Sequence, residues 1–400
     1  MISNDSKKIQ ELLTRGVDEI IGKEELEQIL LSGKKLRIKF GIDPTSPNIH
    51  LGRSIPLLKL RDFQNLGHKV ILIVGDFTGT IGDTSDKDAE RPMLSEKQVK
   101  ENLQTYKKQL AKIIDIGKTE FYFNSKWLKK LNFSQIGELA SIFSVNQFIS
   151  RDLISRRLKE GKRVSLHETL YPLMQGFDSV AVKSDVEIGG VDQRFNMLAG
   201  RDIQKHFKQK EQIVCITGPI IEGLDGRKMS SSWGNTVNFL DTPEQMYGKI
   251  MSMKDDFVIK YFKLLTRVSF EAIEEYKKIF EKDPKKVKMD LAETIVAMYH
   301  GNEEAVEAHQ GWKKTFELGE IPDNVKHVRV KFKKPLADIL IEEGLVESRS
   351  EFKRLIESGS IKIKIKQEER KILDPNSLAE ESGSLKIGKK RFIKIEVEKN

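Results

Sequence analysis

The chain has 400 residues, 38% of them hydrophobic, which is enough to bury at least one substantial core and predicts two or three domains. Lysine and arginine total 69 against 60 acidic residues, and the resulting net charge of +9 is compatible with a polyanionic partner such as RNA without establishing one. The single cysteine, Cys215, excludes an intramolecular disulfide and a cysteine-based zinc cluster.

The sequence begins MISNDSKKIQELL, which is polar and charged where a signal peptide needs an apolar run. No later stretch approaches the ~18 to 20 apolar residues of a membrane span. We therefore expect a cytoplasmic protein without a membrane partner.

Short apolar runs at 36–42 and 69–75 predict two strands, and 51–66 between them has helical spacing that ends at Gly67. Further strands are predicted at 120–123, 186–188 and 212–216. Helical patterns alternate with the strands at 95–115, 132–143, 166–178 and 192–209. This alternation predicts an α/β fold with a parallel sheet covered by helices, in which ligands bind at the carboxyl ends of the strands.

The pattern changes after the last of these strands. From 243 to about 319, long amphipathic helical stretches predict a helical domain. Residues 322–335 (PDNVKHVRVKFKKP) are interpreted as a basic linker, and the tail beyond them contains patterns for two short helices and several strands.

The turn after the first of these strands is suited to phosphate. It runs from Gly41 through Asp43 to a helix that opens near His50, and free backbone N–H groups at such a turn favour anions. Thr45 and His50 would donate to phosphates, and Gly52 would let a nucleotide ring approach the helix. An ordinary strand-to-helix turn with His50 as a cap residue explains this segment equally well.

A second candidate segment follows the last strand of the sheet. Between Gly226 and Gly234, Lys228 supplies a cation and Ser230 and Ser231 supply hydroxyl donors. A solvated surface loop is the simpler interpretation of these residues alone. Their position after the last strand returns them to the same end of the sheet as His50, which favours a shared triphosphate site.

The two segments together carry a family resemblance. The histidine and glycine of the first and the Lys-Met-Ser-Ser-Ser run of the second resemble the signature pair of class I aminoacyl-tRNA synthetases, and the accompanying residues resemble the bacterial tyrosyl enzymes over nearly the whole chain. Arg53 stands where the family usually has a second signature histidine, and Ser231 where many members have a second lysine. Arg53 could still donate to ATP.

The resemblance implies three domains. They are a Rossmann-like catalytic domain at 1–235 with a dimer-interface insertion at about 125–165, an α-helical anticodon-arm domain at 236–325, and a small α+β RNA-binding domain of the S-four type at 334–400. Residues 143–157 would lie in the interface of a homodimer.

A polar stripe marks an expected amino-acid pocket. Tyr171, Gln175 and Asp178 fall at i, i+4 and i+7, on one face of a helix, where caps to neighbouring backbone groups are the alternative explanation. By resemblance, Tyr171, Gln175 and Asp83 hold the α-amino group of tyrosine, and Asp178 accepts its phenolic hydroxyl. In one branch of the family a tyrosine near the end of the first strand also contacts the phenol, but Lys39 occupies that position here.

Two further segments match the family. In the run IGGVDQ, Gly190, Asp192 and Gln193 match residues that approach the ribose and the tyrosine carboxyl group, although a plain strand-to-helix turn also fits. Lys87 and Arg91 match a basic loop that closes on pyrophosphate; as a bare charge pair they would be solvated surface residues.

Basic side chains recur in the tail. A helix that begins at Ser348 and the segment IGKKRFIKI near the end suit contact with RNA phosphates, and a solvated charged face is the alternative. The candidate RNA-binding residues are Arg349, Lys353, Arg354, Lys389, Lys390 and Arg391.

The implied activity is that of a tyrosine–tRNA ligase, with ATP and Mg²⁺ as the substrate complex, no tightly bound protein metal, and tRNA(Tyr) as partner. The tyrosine carboxylate would attack the α-phosphate, and Thr45, His50, Lys228, Lys87 and Arg91 would stabilise the charge that shifts onto pyrophosphate. No protein nucleophile is needed, so Cys215 is expected to be buried packing.

Two other functions stay open from the sequence. A tryptophanyl-tRNA synthetase shares the fold and both signatures, although Asp178, the IGGVDQ run and the tail favour tyrosine. A paralogue that binds RNA without charging it is conceivable because of Arg53 and Lys39.

Overall fold

The computed structural model describes residues 2–83, 94–317, 325–365, 368–388 and 391–398. The chain divides into two compact units, Met1–Ala305 and Val306–Asn400. The three-domain division stays a prediction, since the helices between residues 235 and 305 belong to the same unit as the predicted parallel sheet. No helix of the described ranges is long and apolar enough to cross a membrane.

The first unit is built on one sheet. Its strands are β1 (Val17–Ile21), β2 (Arg37–Ile42), β3 (Lys69–Val74), β4 (Thr119–Phe123), β5 (Val186–Gly190) and β6 (Ile213–Thr217). They are ordered β1-β6-β5-β2-β3-β4, and all pairings are parallel except that of β1 with β6. The predicted parallel sheet is confirmed. The edge strand β1 was not predicted, because its half-exposed VDEII sequence gives no continuous apolar run.

Helices alternate with the strands of this sheet along the chain. They are α1 (Ser6–Thr14), α2 (Lys23–Leu31), α3 (Ser54–Asn65), α4 (Thr78–Ile81), α5 (Glu96–Leu103), α6 (Tyr106–Leu110), α7 (Ser125–Leu128), α8 (Phe133–Ser141), α9 (Val145–Ile149), α10 (Asp152–Lys159), α11 (Leu166–Val182) and α12 (Arg194–His206). α11 and α12 approach so closely that a Cβ atom at Gly176 would lie 2.6 Å from Ile203 Cδ1. Glycine therefore allows the helix carrying the predicted amino-acid pocket to pack directly on its neighbour.

The helix predicted at 95–115 is wrong in its continuity, since it is broken between α5 and α6. Side chains at the break bond to the turn after β2: Asn102 Nδ2 donates to the Pro44 carbonyl at 2.7 Å, and Thr105 Oγ1 donates to the Pro47 carbonyl at 3.1 Å. These bonds satisfy two backbone carbonyls of the turn. The break thus holds the turn that the sequence predicted to bind phosphate.

After the sheet, the first unit continues in helices. They are α13 (Pro243–Ser252), α14 (Val258–Leu265), α15 (Phe270–Phe280), α16 (Pro284–His300) and α17 (Asn302–Phe316), the last of which contains the boundary between the units. The Tyr299 hydroxyl of α16 lies 2.7 Å from the Ser54 hydroxyl of α3. The helical segment therefore packs against the helix that follows the first strand-end turn.

The second unit is a small α+β structure. Its elements are β7 (His327–Lys331), β8 (Lys334–Pro335), α18 (Leu336–Glu342), α19 (Arg349–Glu357), β9 (Ile361–Ile365), β10 (Glu368–Lys371), β11 (Leu378–Ala379), β12 (Gly383–Ile387) and β13 (Arg391–Glu398). The main sheet has the order β10-β9-β12-β13-β7, and β8 pairs with β11. Its core is aliphatic with one phenylalanine, Phe352. This matches the α+β character predicted for the tail.

The interpretation of 322–335 as a linker is wrong for its described part. Residues 327–331 form β7, which pairs in parallel with β13. Val328 and Val330 alternate with His327, Arg329 and Lys331, which is the period-2 pattern of a half-buried strand. The high charge of the segment hid that alternation.

Candidate active site

A cavity of about 440 Å³ opens at the carboxyl ends of the parallel strands. Its walls include residues at which contacts to ATP or tyrosine were predicted: Gly41, Asp43, Thr45, His50, Gly52, Arg53, Asp83, Tyr171, Gln175, Asp178, Gly190, Asp192, Gln193, Lys228, Ser230 and Ser231. Lys87 and Arg91 lie outside the described residues. The two separated signature segments therefore share one cavity, as the sequence order predicted.

Backbone hydrogen bonds bring the distant segments together. The Leu51 N–H donates to the Val237 carbonyl at 2.9 Å, and the Phe239 N–H donates to the Ile49 carbonyl at 2.9 Å, so His50 is paired antiparallel with Asn238. The chain that leaves the lysine loop is thus hydrogen-bonded to the turn that carries His50.

The predicted open helix N-terminus is not observed. α3 begins only at Ser54, after a 3-10 turn at Leu51–Arg53. The N–H of Leu51 is bonded to Val237, that of Gly52 to Met229 Sδ at 3.1 Å, and that of Arg53 to the His50 carbonyl. That part of the prediction is wrong, because Val237, Met229 and the His50 carbonyl take up these donors.

His50 is buried, and its Nδ1 has no hydrogen-bond partner among the described residues. Burial, with Arg53 and Lys228 nearby, lowers the pKa of His50 to about 3. The imidazole is therefore neutral at physiological pH and can act as a hydrogen-bonding group but not as a cation. A Cβ atom at Gly52 would lie 2.9 Å from His50 Nδ1, so Gly52 makes room first for this ring.

The lysine loop is organised around Asn235. The Asn235 amide donates to Asp225 Oδ1 at 2.7 Å and to the Lys228 carbonyl at 3.1 Å, and its Oδ1 accepts from the Ser230 N–H at 2.9 Å. The Arg227 guanidinium stacks over the Trp233 ring at 4.7 Å. Lys228 itself is exposed at the cavity. The loop that carries this lysine is held by hydrogen bonds and is not an unstructured surface segment.

Asp43, in the turn after β2, is hydrogen-bonded to residues on α4 and α11. Its carboxylate accepts from the Tyr171 hydroxyl at 2.8 Å and from Thr78 Oγ1 at 2.8 Å. Burial and the charges of Asp43 and Asp83 raise the pKa of Tyr171 well above its usual value, so its hydroxyl stays protonated. At Gly75 a Cβ atom would lie 1.9 Å from Asp43 Oδ1, so only glycine leaves space for this carboxylate.

Asp178 is a buried acceptor at the predicted phenol end. Trp127 Nε1 donates to Oδ1 at 2.7 Å and Asn124 Nδ2 donates to Oδ2 at 3.3 Å. Burial raises the pKa of Asp178 to about 7, although Lys39 and these two donors favour the ionised form. A carboxylate held in this way can accept a further hydrogen bond from a hydroxyl in the cavity.

Amide side chains connect the residues predicted at the amino group. Gln193 Nε2 donates to Asp83 Oδ2 at 2.7 Å, and Asn196 Nδ2 donates to both Gln193 Oε1 at 3.2 Å and Gln175 Oε1 at 3.1 Å. Glu187 accepts from Gln175 Nε2 at 3.0 Å. The orientation of each amide is therefore set by its neighbours.

Sequence reasoning missed Asn124, Trp127 and Glu187. Asn124 directly follows β4, and a polar residue at the carboxyl end of a parallel strand was an available signal. Trp127 follows three residues later, in the first turn of α7. Glu187 had no signal of its own, because its partner Lys39 becomes a neighbour only through the sheet order.

The basic residues of the second unit divide into two groups. Lys353 and Arg354 are exposed on α19, and Arg349 is exposed beside Asp338 at 2.7 Å. Arg391 is half-buried and donates to the Leu345 carbonyl and to Glu351. Lys389 and Lys390, also predicted to bind RNA, lie outside the described residues.

Comparison with known proteins agrees with this geometry. The family model described as tRNA synthetases class I (W and Y) matches residues 31–317. A tyrosine–tRNA ligase of Thermotoga maritima is 45% identical over 390 residues, covering 96% of this chain and 96% of that protein. One of Carboxydothermus hydrogenoformans is 44% identical over 413 residues, covering 99% of both. A C-terminally truncated mitochondrial tyrosyl-tRNA synthetase of Aspergillus nidulans, with 21% identity and a TM-score of 0.66, covers 77% of this chain and 94% of that one and shares the fold.

Proposed function

Because this chain belongs to the class I tRNA synthetases of the tryptophan and tyrosine group, we propose that its cavity performs the reaction of a tyrosine–tRNA ligase. It activates L-tyrosine with ATP and transfers the tyrosyl group to the 3′ end of tRNA(Tyr). One observation carries this proposal: the buried carboxylate of Asp178 lines the same cavity as His50 and Lys228. One cavity thus offers an acceptor for the phenol of tyrosine and donors for the triphosphate of ATP.

At the triphosphate end, Thr45, His50 and Lys228 bind the β- and γ-phosphates. An oxygen of the tyrosine carboxylate attacks the α-phosphorus, the bond to the bridging oxygen breaks, and pyrophosphate leaves. Lys228 supplies positive charge where the leaving group gains negative charge, and neutral His50 donates a hydrogen bond to it. Arg53 adds a second cation, and Lys87 and Arg91 are proposed to close on pyrophosphate. Mg²⁺ enters with ATP.

The nucleoside lies against small and polar residues. A Cβ atom at Gly41 would meet nothing within 4 Å, so this glycine leaves the cavity open toward the ligand. Gly190 ends β5 and Asp192 follows it, where Asp192 is exposed and can accept from the ribose hydroxyls. Asp43, Ser230 and Ser231 complete the nucleotide side.

At the amino-acid end, Asp178 accepts the phenolic hydroxyl of tyrosine. Phenylalanine leaves this buried acceptor without its extra donor, which penalises the wrong substrate. The tyrosine ammonium donates to Tyr171, Gln175 and Asp83; the Tyr171 hydroxyl is suited to accept, because its proton already points to Asp43. Gln193 lies beside the carboxyl group.

Tyrosine-dependent exchange of radiolabelled pyrophosphate into ATP tests this assignment. Exchange that depends on tyrosine supports it. Exchange that depends on tryptophan would instead assign the tryptophan enzyme, and no exchange with either amino acid would favour an RNA-binding protein that does not charge tRNA. The relatives described above favour the first outcome.

The second unit is proposed to bind tRNA(Tyr) through exposed arginine and lysine side chains. Lys353, Arg354 and Arg349 share α19, and Arg391 supports that helix by its bond to Glu351. Lys389 and Lys390 are proposed to contact tRNA as well. Loss of one phosphate contact should reduce the salt-dependence slope of tRNA binding by about 0.7 to 0.9. Work on tRNA with ATP also implies a cytoplasmic location.

A homodimer is proposed through the segment at 143–157 and its flanks. Large apolar side chains in this region are exposed: Phe133 at 91%, Val145 at 73%, Ile149 at 38%, Leu158 at 45% and Leu166 at 78%. Such a concentration is typical of a surface covered by another protein. Sedimentation at micromolar concentration should give twice the 45.8 kDa chain mass; a monomer alone would contradict the dimer.

A further inference from the structure

Below the amino-acid end of the cavity lies an ion pair that does not line it. Lys39 on β2 and Glu187 on β5 are neighbours across the sheet, and their side chains are 0% and 1% exposed. Lys39 Nζ donates to Glu187 Oε1 at 2.9 Å, to Ser179 Oγ at 2.7 Å and to the Gln175 carbonyl at 2.9 Å. The pair therefore joins two strands to the helix that carries the tyrosine-binding residues.

Stability alone does not account for this pair. Removing two charges from water costs several kcal/mol per ion, and apolar residues of similar volume often stabilise a core as well or better. The adjacent strand positions Ile38, Phe40 and Val186 are apolar but face the other side of the sheet, and Glu187 also accepts from Ser179 and Gln212 on its own side. This ion pair is also bonded to the helix that carries the predicted tyrosine-binding residues, so it is placed to position them as well as to join the strands.

Glu187 has such a task at Gln175. Because the carboxylate can only accept, it fixes the Gln175 Nε2 group on its own side at 3.0 Å, and Gln175 Oε1 is turned toward Asn196 and the cavity. The orientation continues through Asn196 to Gln193 and reaches Asp83. One buried carboxylate thereby orients the acceptors that face the substrate ammonium.

We propose that Lys39 and Glu187 are positioning residues for tyrosine binding, Glu187 by orienting the Gln175 amide and Lys39 by balancing the Glu187 charge and holding the Gln175 backbone. The proposal rests on the proposed function, since it concerns the affinity of that site for its amino acid. Neither side chain lines the cavity. The lysine that replaces a substrate-contacting residue thus acts from beneath the pocket.

The same two charges act on Asp178 with opposite signs. The groups that face Asp178 are Lys39 from β2, Glu187 from β5, Tyr171 on its own helix, and the neutral donors Trp127 and Asn124. Lys39 lowers the pKa of Asp178 and Glu187 raises it. Loss of Lys39 should therefore raise the pKa of Asp178, and loss of the Glu187 charge should lower it.

The test uses three variants of the full chain, Lys39→Met, Glu187→Gln and the double variant, in tyrosine-dependent pyrophosphate exchange. In each variant the Gln175 amide loses its fixed orientation or its backbone support. We expect the KM for tyrosine to rise about tenfold, the equivalent of one buried hydrogen bond, with the KM for ATP changed less than about twofold. Equal rises in both KM values would overturn the proposal.

The pH dependence separates positioning from general damage. In Lys39→Met the midpoint of the pH dependence of the tyrosine KM should move to higher pH, because the pKa of Asp178 rises without the lysine. In Glu187→Gln it should move downward. A shift in the same direction in both variants, or none in either, would contradict the proposed coupling.

The double variant controls for folding. It leaves no unpaired buried charge, so its Tm should return toward the wild-type value while the tyrosine KM stays raised; a wild-type KM would reduce the pair to a structural role. Lys59→Met removes another buried ammonium, 1% exposed and outside the cavity, and should leave the tyrosine KM unchanged. Exchange by the wild-type enzyme separates the two hypotheses. If the wild type shows no tyrosine-dependent exchange, the proposed function is refuted. If the wild type shows exchange and the variants have an unchanged tyrosine KM, only the positioning role is refuted.

Discussion

At the amino-acid end of the cavity, buried polar side chains are bonded to one another, whereas at the triphosphate end His50 keeps a buried nitrogen without a partner among the described residues. The first end contains two hydrogen-bonded groups: Asp178 with Trp127 and Asn124, and a chain from Glu187 through Gln175, Asn196 and Gln193 to Asp83. The second presents the exposed Lys228 on a loop held by Asn235. Selecting one amino acid requires donors and acceptors fixed in advance, while stabilising pyrophosphate requires charge and hydrogen bonds that the arriving ligand completes.

The largest test of this contrast is Lys228→Ala. Loss of a cation at the leaving group should lower kcat for adenylate formation by about 10²- to 10³-fold. Tyrosine affinity should stay within about twofold, because the network at the other end does not contain Lys228. Pyrophosphate exchange gives kcat, and equilibrium dialysis with labelled tyrosine gives the affinity.

Lys254→Ala is the matched control, since Lys254 lies at the base of the same loop near Gly226 and does not line the cavity. Its kcat should be close to that of the wild type. A normal kcat in Lys228→Ala would show that this lysine does not stabilise the leaving pyrophosphate.

Asp178→Asn tests the opposite end. Exchanging a charged acceptor for a neutral one should lower kcat/KM for tyrosine by about 10- to 100-fold. The value for phenylalanine, which has no hydroxyl to donate, should fall far less. Steady-state exchange with both amino acids measures the change in selectivity.

Asp202→Asn on the exposed surface of α12 provides the control for charge removal. If Asp178→Asn lowered both substrates equally, the carboxylate would serve folding and not selection.

Gly75→Ala tests the junction of the two ends. The added Cβ would lie 1.9 Å from Asp43 Oδ1 and 2.2 Å from Thr78 Oγ1, so the Asp43 carboxylate must move. The free energy of unfolding should fall by about 1 to 3 kcal/mol, and the tyrosine KM should rise as Tyr171 loses its acceptor. Urea denaturation and exchange assays measure the two effects.

Gly41→Ala is the companion variant, because a Cβ there meets no protein atom within 4 Å. Its stability should be nearly unchanged, and the KM for ATP should rise as the methyl group enters the cavity. Similar losses of stability in both variants would show that the space around Gly75 is not specific to Asp43.

The smallest expected effect is a difference in pH dependence. The pKa of Asp178 is about 7, so its carboxylate becomes protonated as the pH falls from 8 to 6. The tyrosine KM should then rise several-fold, since each pH unit changes the ratio of ionised to protonated carboxyl about tenfold. The pKa of His50 is about 3, so this histidine stays neutral and should add no transition to the KM for ATP over the same range. A histidine transition near pH 6.5 in the ATP data would contradict its buried state.

Much of this architecture was readable from local sequence. The runs at 36–42 and 69–75 became β2 and β3 because continuous apolar residues are the mark of strands covered on both faces. The order of segments along the chain also predicted that His50 and Lys228 share one end of the sheet. Both inferences depend on patterns within short stretches and on the rule for parallel strands.

What the sequence could not predict depends on contacts between distant residues. The N–H groups of Leu51 and Gly52 are taken by Val237 and Met229, which closes the anion site expected at the start of the helix. Lys39 meets Glu187 only because β2 lies beside β5 in the sheet order. No local pattern encodes such pairings, since they are fixed when the whole sheet and the returning loop assemble.

Cys215 in β6 is 1% exposed, and burial raises the pKa of its thiol to about 11, so at neutral pH it remains an unreactive thiol inside the sheet. The native chain therefore carries no background for maleimide chemistry, because this is its sole cysteine. A fluorophore attached to a cysteine introduced at Ser232, in the same loop as Lys228, would report on that loop alone. Movements during turnover thus become observable in an otherwise wild-type background.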